Sequence, residues 1–180
     1  MSGFGKNGRI FWGTAITVVV LDVVTKVIAA DKLFPPHVPH QIIGDFVRFT
    51  LAYNQGAAFS MKVGSASRWV FGAFALIALV VLYKIYAAAD KSERWKALSL
   101  GLAWGGAAGN LIDRIRSPLG VVDFIDVGIG SVRFWTFNVA DSAVSVGAVM
   151  LGWILLQEDR QKKHAPAAPV PPVPPATTSD

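Results

Sequence analysis

The chain contains no cysteine, and histidine and charged residues are scarce among its 180 residues. The absence of cysteine excludes disulfides, thiolate nucleophiles and cysteine-based metal sites. The three histidines, His37, His40 and His164, lie in sequence that we expect to form loops or a tail, and no HExxH spacing occurs, so a zinc hydrolase is not expected. Only 16% of the residues are charged, against about 25% in globular domains, which indicates that most of the chain does not face water.

Long apolar segments account for much of the chain, in which 53% of the residues are hydrophobic. The four segments cover approximately residues 10–30, 69–89, 97–115 and 137–157. Because roughly 20 helical residues cross the apolar core of a bilayer, we expect a mainly α membrane protein with four transmembrane helices. The first segment follows basic residues, as the apolar part of a cleaved signal peptide would. Asp22 and Lys26 interrupt it and three further segments follow, so we expect the first helix to be retained.

The distribution of lysine and arginine predicts the orientation of these helices. Basic residues are concentrated before the first segment, in the short connection at 84–96 and at the start of the tail at 160–163. The positive-inside rule then places both termini in the cytoplasm, although the excess is small and depends mainly on the connection at 84–96. This topology, together with contact to anionic membrane lipid, explains the net charge of +5, and no nucleic-acid partner is expected.

Two extracytoplasmic stretches contain residues typical of strands. The stretch at about 40–60 is rich in β-branched and aromatic side chains, and its Gly44-Asp45 pair is typical of a turn. A small sheet on the outer surface is therefore predicted there. The second stretch, a loop at 116–136 on the periplasmic side, leads into the strand-like sequence SVRFWTF.

The end of the chain differs in composition from the rest. Residues 165–176 (APAAPVPPVPPA) are dominated by proline and alanine, a composition typical of disordered or polyproline-like segments. We therefore expect one polytopic membrane domain at 1–160, followed by a Pro-rich cytoplasmic tail at 161–180.

Polar side chains inside three of the apolar segments reach one depth in the predicted bilayer. With the orientation above, the first and third helices end at the outer surface and the fourth helix begins there. The side chains near that surface are Asp22, Lys26, Asn110, Asp113, Arg114, Asn138 and Asp141. Ionisable groups at membrane depth are costly and indicate functional sites by default, so their convergence predicts a site at the extracytoplasmic surface.

Asp141 is the most informative of these residues, because it lies near the start of the fourth apolar segment and needs a partner. Two carboxylates, Asp123 and Asp126, precede it in the second extracytoplasmic stretch, and either would give a pair suited to acid–base chemistry. The alternative is structural: Asp141 would be a buried carboxylate paired with Arg114, and Asp123 would be a solvated loop residue.

Structural interpretations are also open for the other polar residues. Asp22 with Lys26, and Asp113 with Arg114, would form ion pairs along or between helices, and the asparagines would form interhelical hydrogen bonds. Two further classes of function also use intramembrane charges. An ion-coupled transporter would use them as a relay, but it predicts inverted repeats and usually more spans. A non-enzymatic assembly factor would use them to hold helices together.

Five short motifs, in order across residues 22–147, resemble those of bacterial lipoprotein signal peptidase (signal peptidase II). They are DVVTK from Asp22, NQGAAFS from Asn54, GNLIDR from Gly109, VVDF from Val121, and FNVADS from Phe137 followed by Gly147. A lone VVDF would be a weak signal, but the last two motifs together with Asn110 and Arg114 are specific. Val23 stands where the family often has glutamine, and the Pro-rich tail lies outside the resemblance.

The resemblance implies a four-helix membrane peptidase with an extracytoplasmic β-cradle and a site at the outer membrane surface. It implies that Asp123 and Asp141 are the catalytic dyad, in which two close carboxylates share one proton. The family positions that support or line the site correspond here to Asp22, Lys26, Asn54, Gly56, Asn110, Asp113, Arg114, Asn138 and Ala140. The chemistry needs no metal and no cofactor.

The resemblance also implies a substrate and a location. The substrate class is a prolipoprotein whose lipobox cysteine carries diacylglycerol, and the chain would be cut just before that cysteine in the bacterial cytoplasmic membrane. The cyclic peptide globomycin inhibits the family, and a monomer is the simplest expectation for the oligomeric state.

Overall fold

The computed structural model describes residues 7–56, 66–90 and 92–164 of the chain. Its helices and strands are, in order, α1 Gly8–Lys32, β1 His40–Ile43, β2 Val47–Asn54, α2 Ser67–Ala88, α3 Arg94–Arg116, β3 Val121–Ile129, β4 Val132–Arg133 and α4 Val139–His164. Within the described residues, the helices correspond to the four predicted apolar segments, and most of their ends lie within a few residues of the predicted ones.

Three of the helices are long and apolar enough to cross a membrane: α1 Gly8–Lys32, α2 Ser67–Ala88, and Val139–Gln161 within α4. The protein is therefore a multi-pass membrane protein. Helix α2 shows this most clearly, because large apolar side chains such as Phe74, Leu76 and Ile77 are exposed along it, as expected for a helix that faces lipid.

Helix α3 is the inner helix of the bundle, and α1, α2 and α4 each pack against it. It is less apolar than the other three because basic residues occupy both of its ends and small residues (GLAWGGAAGN) occupy its middle. A Cβ on Gly105 would lie 2.7 Å from the carbonyl oxygen of Ala15 in α1, and one on Gly106 would lie 2.3 Å from that of Ala140 in α4. These small residues therefore let the helix backbones approach closely.

The strands form one antiparallel sheet in the order β1-β2-β3-β4. Strands β2 and β3 pair so that Ala52 lies opposite Asp123, and the register shifts between Phe49 and Ala52. A hydrophobic cluster joins the sheet to the end of α1, and its buried members are Ala29, Leu33, Leu51, Val122 and Phe124. The sheet is thereby held at the end of the bundle where α1 and α3 end and α4 begins.

The stretch at 116–136 folds differently from the prediction. Its main strand is β3, Val121–Ile129, whereas the predicted strand-like piece at 131–137 contributes only β4 and a bridge between Phe137 and Ile125. Residues 121–129 form the longer strand because their backbone pairs with β2 while Val122 and Phe124 add apolar surface to the core. The interpretation of Asp123 as a solvated loop residue is therefore wrong.

The sheet predicted at about 40–60 is present as β1 and β2, and residues 57–65 lie outside the described part of the chain. Helix α4 extends to His164, past the predicted end of the fourth segment at 157 and into the predicted tail. This extension contains good helix formers, and Lys163 pairs with Asp159 one turn earlier (2.7 Å). The proline-rich residues at 165–176 lie outside the described part of the chain.

Aromatic side chains join the first three helices away from the sheet. Phe11 of α1 stacks on Tyr86 of α2 with ring centroids 4.0 Å apart, and Trp104 of α3 meets Phe11 edge-on at 6.1 Å. The indole N–H of Trp104 donates to the carbonyl oxygen of Leu79 in α2 (3.1 Å). The bundle is thus closed by apolar packing at this end and by polar contacts at the sheet end.

Candidate active site

Asn138 joins Asp123 and Asp141 at the sheet end of the bundle. Its side-chain amide donates to Oδ1 of Asp123 (2.7 Å), and its backbone N–H donates to Oδ2 of Asp141 (3.2 Å). In return, the backbone N–H of Asp141 donates to Oδ1 of Asn138 (2.9 Å). Since Asn138 directly precedes α4, this reciprocal pair has the form of a helix capping box. One residue therefore positions both carboxylates.

Asp123 lies on β3 and is almost fully buried, with 3% of its surface exposed. Its carboxylate accepts hydrogen bonds from Asn138 (2.7 Å) and from the side-chain amide of Asn54 at the end of β2 (3.2 Å). Burial, followed by the negative charge of Asp141, raises the pKa of Asp123 from 3.8 to about 7. The two hydrogen bonds and the charge of Lys26 oppose this increase without cancelling it. Asp123 can therefore hold a proton near neutral pH.

Asp141 lies in the first turn of α4 and is only partly buried. The side-chain amide of Asn110 donates to its Oδ1 (2.8 Å), while its Oδ2 accepts the backbone N–H of Asn138. Oδ1 of Asn110 in turn accepts hydrogen bonds from the ammonium of Lys26 (2.8 Å) and from the amide of Asn138 (3.2 Å). Asn110 therefore connects α1, α3 and α4 directly at Asp141.

A buried ion cluster lies behind these asparagines, with Lys26 at its centre. The ammonium of Lys26 lies 2.7 Å from Oδ2 of Asp22 and 3.0 Å from Oδ2 of Asp113, and all three side chains are buried. Arg116 pairs with Asp113 from the more exposed side (2.9 Å). Buried charges persist only when they are paired and hydrogen-bonded, so the predicted pair of Asp22 and Lys26 is part of a larger cluster.

The two carboxylates of this cluster also bind the backbone next to the dyad. Asp22 accepts a hydrogen bond from the N–H of Ala140 (2.9 Å), and Asp113 accepts one from the N–H of Val122 (3.2 Å). Ala140 directly precedes Asp141, and Val122 directly precedes Asp123. Each acidic member of the cluster therefore fixes the chain at one aspartate of the pair.

Arg114 has a different role from the two ion pairs considered for it. Its guanidinium donates to the backbone carbonyl oxygens of Asn110 (3.1 Å) and Gly56 (3.0 Å), whereas Asp113 pairs with Lys26 and Arg116. The N–H of Gly56 donates to Oδ1 of Asn54 (3.0 Å), which leaves the amide of Asn54 facing Asp123. Arg114 thus fastens the end of β2 beside Asp123.

Asp126, the other candidate partner for Asp141, belongs to a separate cluster on the sheet. It accepts hydrogen bonds from Arg48 (3.1 Å), Thr50 (3.0 Å) and Arg133 (2.5 Å). Burial acts to raise the pKa of Asp126, but the hydrogen bonds from these three side chains outweigh it and hold the pKa below its usual value. The carboxylate of Asp126 is therefore already bound by two arginines and a threonine. Asp123 is the carboxylate that shares Asn138 with Asp141.

All of the predicted site residues fall in one connected region of the structure, including the backbones of Gly56 and Ala140. Two contributors to the site were not predicted from the sequence: Arg116 and the backbone N–H of Val122. The i,i+3 spacing of Asp113 and Arg116 was a usable signal for the first of them. Among the described residues, no group of three or more His, Asp or Glu side chains could hold a metal ion.

Comparison with known proteins adds an independent finding. The family model described as signal peptidase (SPase) II matches residues 14–157, which include every residue of the site. Proteins named lipoprotein signal peptidase are similar over most of the chain. The protein from Mycobacterium avium is 45% identical over 79% of this chain and 76% of its own length. The protein from Pseudomonas putida is 42% identical over 82% and 87%, and that from Teredinibacter turnerae is 40% identical over 87% and 93%.

Two solved structures also match, and both are described as bacterial membrane enzymes determined by the in meso method. The first, at 2.3 Å resolution, has a TM-score of 0.75 and 30% identity and covers 86% of this chain and 92% of its own. The second, at 1.9 Å resolution, has a TM-score of 0.71 and 31% identity and covers 81% and 91%. The fold of this chain is thus similar to that of bacterial membrane enzymes.

Proposed function

The chain belongs to the signal peptidase II family, a family of aspartic peptidases, and we propose that it removes the signal peptide from prolipoproteins. The substrate in this proposal is a prolipoprotein whose lipobox cysteine carries diacylglycerol, and the bond cut is the one just before that cysteine. The observation that carries the proposal is the pair Asp123 and Asp141, both hydrogen-bonded to Asn138 within a buried polar network of a membrane bundle.

Asp123 and Asp141 act in this proposal as a dyad that shares one proton, because two close carboxylates disfavour double ionisation. The ionised carboxylate takes a proton from water, and the oxygen of that water forms a bond to the scissile carbonyl carbon. The protonated carboxyl donates its proton to the carbonyl oxygen, which gives a tetrahedral diol. The proton taken from water then passes to the leaving nitrogen as the C–N bond breaks, and the diol returns the other proton to the dyad.

The remaining site residues hold this dyad in place and need no metal or cofactor to do so. Asn54, Asn110 and Asn138 direct amide N–H groups at the two carboxylates. Arg114 and Gly56 position the end of β2. The ion cluster of Asp22, Lys26 and Asp113, with the backbone of Ala140, fixes the chain beside each aspartate.

The proposal also includes the orientation of the bundle in the membrane. We expect α3, whose 23 residues pack against the three apolar helices, to be a fourth transmembrane helix within one domain at 1–160. The basic residues Arg94 and Lys96 lie at the start of α3, away from the sheet, so the positive-inside rule places that end in the cytoplasm. Both termini would then be cytoplasmic, and the sheet and dyad would lie at the extracytoplasmic surface of the bacterial cytoplasmic membrane.

The lipid part of the substrate suits this depth. Its acyl chains would remain in the outer leaflet against apolar helix surfaces, where Val24, Val27 and Ile28 of α1 are exposed, while the scissile bond reaches the dyad at the surface. The expected partners are the prolipoprotein and membrane lipid, and the expected inhibitor is globomycin. The chain would act as a monomer, without nucleic acid.

The test is cleavage of a synthetic diacylglyceryl prolipoprotein by purified protein in detergent or vesicles. Asp123→Asn and Asp141→Asn should each reduce cleavage at least about 10³-fold, as removal of an essential acid or base does. A matched control is Asp31→Asn, because Asp31 is an exposed carboxylate at the end of α1 that pairs with the equally exposed Lys32. The control should cleave at the wild-type rate and remain sensitive to globomycin.

Two outcomes would overturn the proposal. One is normal cleavage by either dyad variant, and the other is equal cleavage of a prolipoprotein that lacks diacylglycerol. Because Asn preserves the size of the side chain, a thermal unfolding curve similar to that of the wild type should accompany each inactive variant and separate lost chemistry from lost folding.

A further inference from the structure

Asn110 lies between the ammonium of Lys26 and the carboxylate of Asp141. Its Oδ1 is 2.8 Å from Nζ of Lys26, and its Nδ2 is 2.8 Å from Oδ1 of Asp141. An ammonium has only donors, so the amide oxygen must face Lys26 and the amide N–H must face Asp141. The orientation of Asn110 is therefore determined chemically, and a polarised N–H donor is held permanently against Asp141.

The other surroundings of the two carboxylates also differ, and they too favour negative charge on Asp141 over Asp123. Oδ2 of Asp141 accepts a backbone N–H at the N-terminus of α4, where the helix dipole favours negative charge. Asp123 lies on a strand and is almost fully buried, and its hydrogen-bond donors within the described residues are the neutral side-chain amides of Asn54 and Asn138. Burial disfavours charge on Asp123, whereas the donors and the dipole favour charge on Asp141.

We infer that Lys26, acting through the amide of Asn110, keeps Asp141 ionised and leaves the shared proton of the dyad on Asp123. The inference rests on the proposed function and deepens it, because it assigns a role to each aspartate. Asp141 takes the proton from water and later delivers it to the leaving nitrogen. Asp123 donates its proton to the scissile carbonyl oxygen. Lys26 is a positioning residue in this scheme, since its side chain is fully buried and reaches Asp141 through Asn110.

Among the described residues, the charges around the dyad are balanced in the assigned state. In that part of the chain, the charged groups that face Lys26, Asn110 and the dyad are Asp22 of α1, Asp113, Arg114 and Arg116 of α3, Asp123 of β3 and Asp141 of α4. With Asp123 protonated, three cations (Lys26, Arg114 and Arg116) balance three anions (Asp22, Asp113 and Asp141). A buried cluster is most stable when its charges are paired. Lys26 also acts on Asp123 through space, but this influence is weaker than burial and the charge of Asp141.

The experiment measures kcat/KM for cleavage of a diacylglyceryl prolipoprotein as a function of pH, because the acid limb of that profile reports loss of the essential base. Asn110→Ala removes the amide that links Lys26 to Asp141 and leaves the ion cluster intact. Asp22→Asn combined with Lys26→Met removes both charges of one buried pair, so no charge of that pair is left alone. In both variants the acid limb should move to higher pH by about one unit, as expected when a favourable charge interaction is lost.

The control is Lys32→Gln, which removes one positive charge from the exposed end of α1, where Lys32 pairs with Asp31 (2.8 Å). Its acid limb should stay where the wild-type limb lies. Adding the Asp22→Asn and Lys26→Met changes to Asn110→Ala should give no further shift, because the two act through one route.

The results separate this inference from the proposed function. A purely structural role would lower kcat/KM by the same factor at every pH and leave the acid limb unmoved, which would overturn the inference. A limb that moves equally in Lys32→Gln would also overturn it, because the effect would then be general electrostatics. Normal cleavage by Asp123→Asn or Asp141→Asn would instead contradict the proposed function itself. If the Lys26 variant does not fold, Asn110→Ala and Lys32→Gln decide the question alone.

Discussion

The carboxylate of Asp22 accepts a hydrogen bond from the backbone N–H of Ala140 at 2.9 Å, so a residue of α1 holds the first turn of α4. The same carboxylate pairs with Lys26 at 2.7 Å, and both side chains are fully buried. Asp22→Ala should therefore lower the free energy of unfolding by about 3 kcal/mol, because it leaves a buried cation with one partner fewer. Denaturant unfolding in detergent micelles measures this change.

Asp31→Ala is the matched comparison for that prediction. Asp31 also lies on α1 and pairs with Lys32 at 2.8 Å, but both side chains are exposed, so its loss should cost less than about 1 kcal/mol. Equal losses of stability in the two variants would show that the buried contact to Ala140 and Lys26 has no special weight.

The helices were predictable from the sequence for a simple physical reason. A bilayer sets a minimum length for an apolar run, so the runs near α1, α2 and α4 predicted helices close to the observed ones. Helix α3 differs from these three helices, because its glycines allow the neighbouring helices to approach closely. The composition of α3 therefore predicted a helix of about the right length, but it indicated the inner position of that helix less clearly.

The contacts of the site were harder to predict than its members. Spacing within a helix shows which side chains share a face, and it predicted the pair of Asp22 and Lys26. It does not show which face of another helix lies opposite, so the bonds from Lys26 to Asn110 and Asp113 could not be derived. Asp123 was ambiguous for a related reason: all four residues at 121–124 are buried, so β3 lacks the alternation that predicts a strand.

The pH dependence of stability should have opposite signs at Asp123 and Asp126. The pKa of Asp123 is about 7 in the fold against 3.8 for the ordinary group, so folding favours its protonated form. The stability that this group contributes is fully present below the ordinary pKa and is lost as pH rises through about 7. Wild-type stability should therefore fall relative to that of Asp123→Asn between about pH 4 and about pH 7.

For Asp126 the hydrogen bonds from Arg133, Thr50 and Arg48 lower the pKa, so its contribution is present above the ordinary pKa and is lost as pH falls through the lowered value. Asp126→Asn should be less stable than wild type at neutral pH, and the difference should shrink in acid. Thermal unfolding of the three proteins across this range measures both trends. Parallel curves for the two variants would contradict the assignment of opposite environments.

Arg114 should not be replaceable by lysine. Its planar guanidinium reaches the carbonyl oxygens of Asn110 and Gly56 at the same time (3.1 and 3.0 Å), whereas a single ammonium at the end of a flexible stem does not reproduce that fork. Arg114→Lys should lower kcat/KM for prolipoprotein cleavage by about 10-fold to 100-fold, since misplacement of a catalytic group by about 1 Å costs up to about 10²-fold. Arg68→Lys is the control, because Arg68 lies over the ring of Trp69 at the start of α2, and it should retain wild-type activity.

Gly106 should be the helix position most sensitive to an added methyl group, because it faces the residue before Asp141. A Cβ there would lie 2.3 Å from the carbonyl oxygen of Ala140, which belongs to the backbone and cannot rotate away. Gly106→Ala should therefore push α4 from α3, displace Asp141 and reduce cleavage by about 100-fold or more. Gly152→Ala on α4 has no atom within 4 Å of the added Cβ, so it should keep full activity and gain about 0.5–1 kcal/mol of stability from better helix propensity. Unfolding and cleavage should be measured on both variants. If the packing of Gly106 against Ala140 positions the dyad, Gly106→Ala loses stability and cleavage, whereas Gly152→Ala gains stability and keeps its cleavage. If that packing has no such role, the two variants behave alike.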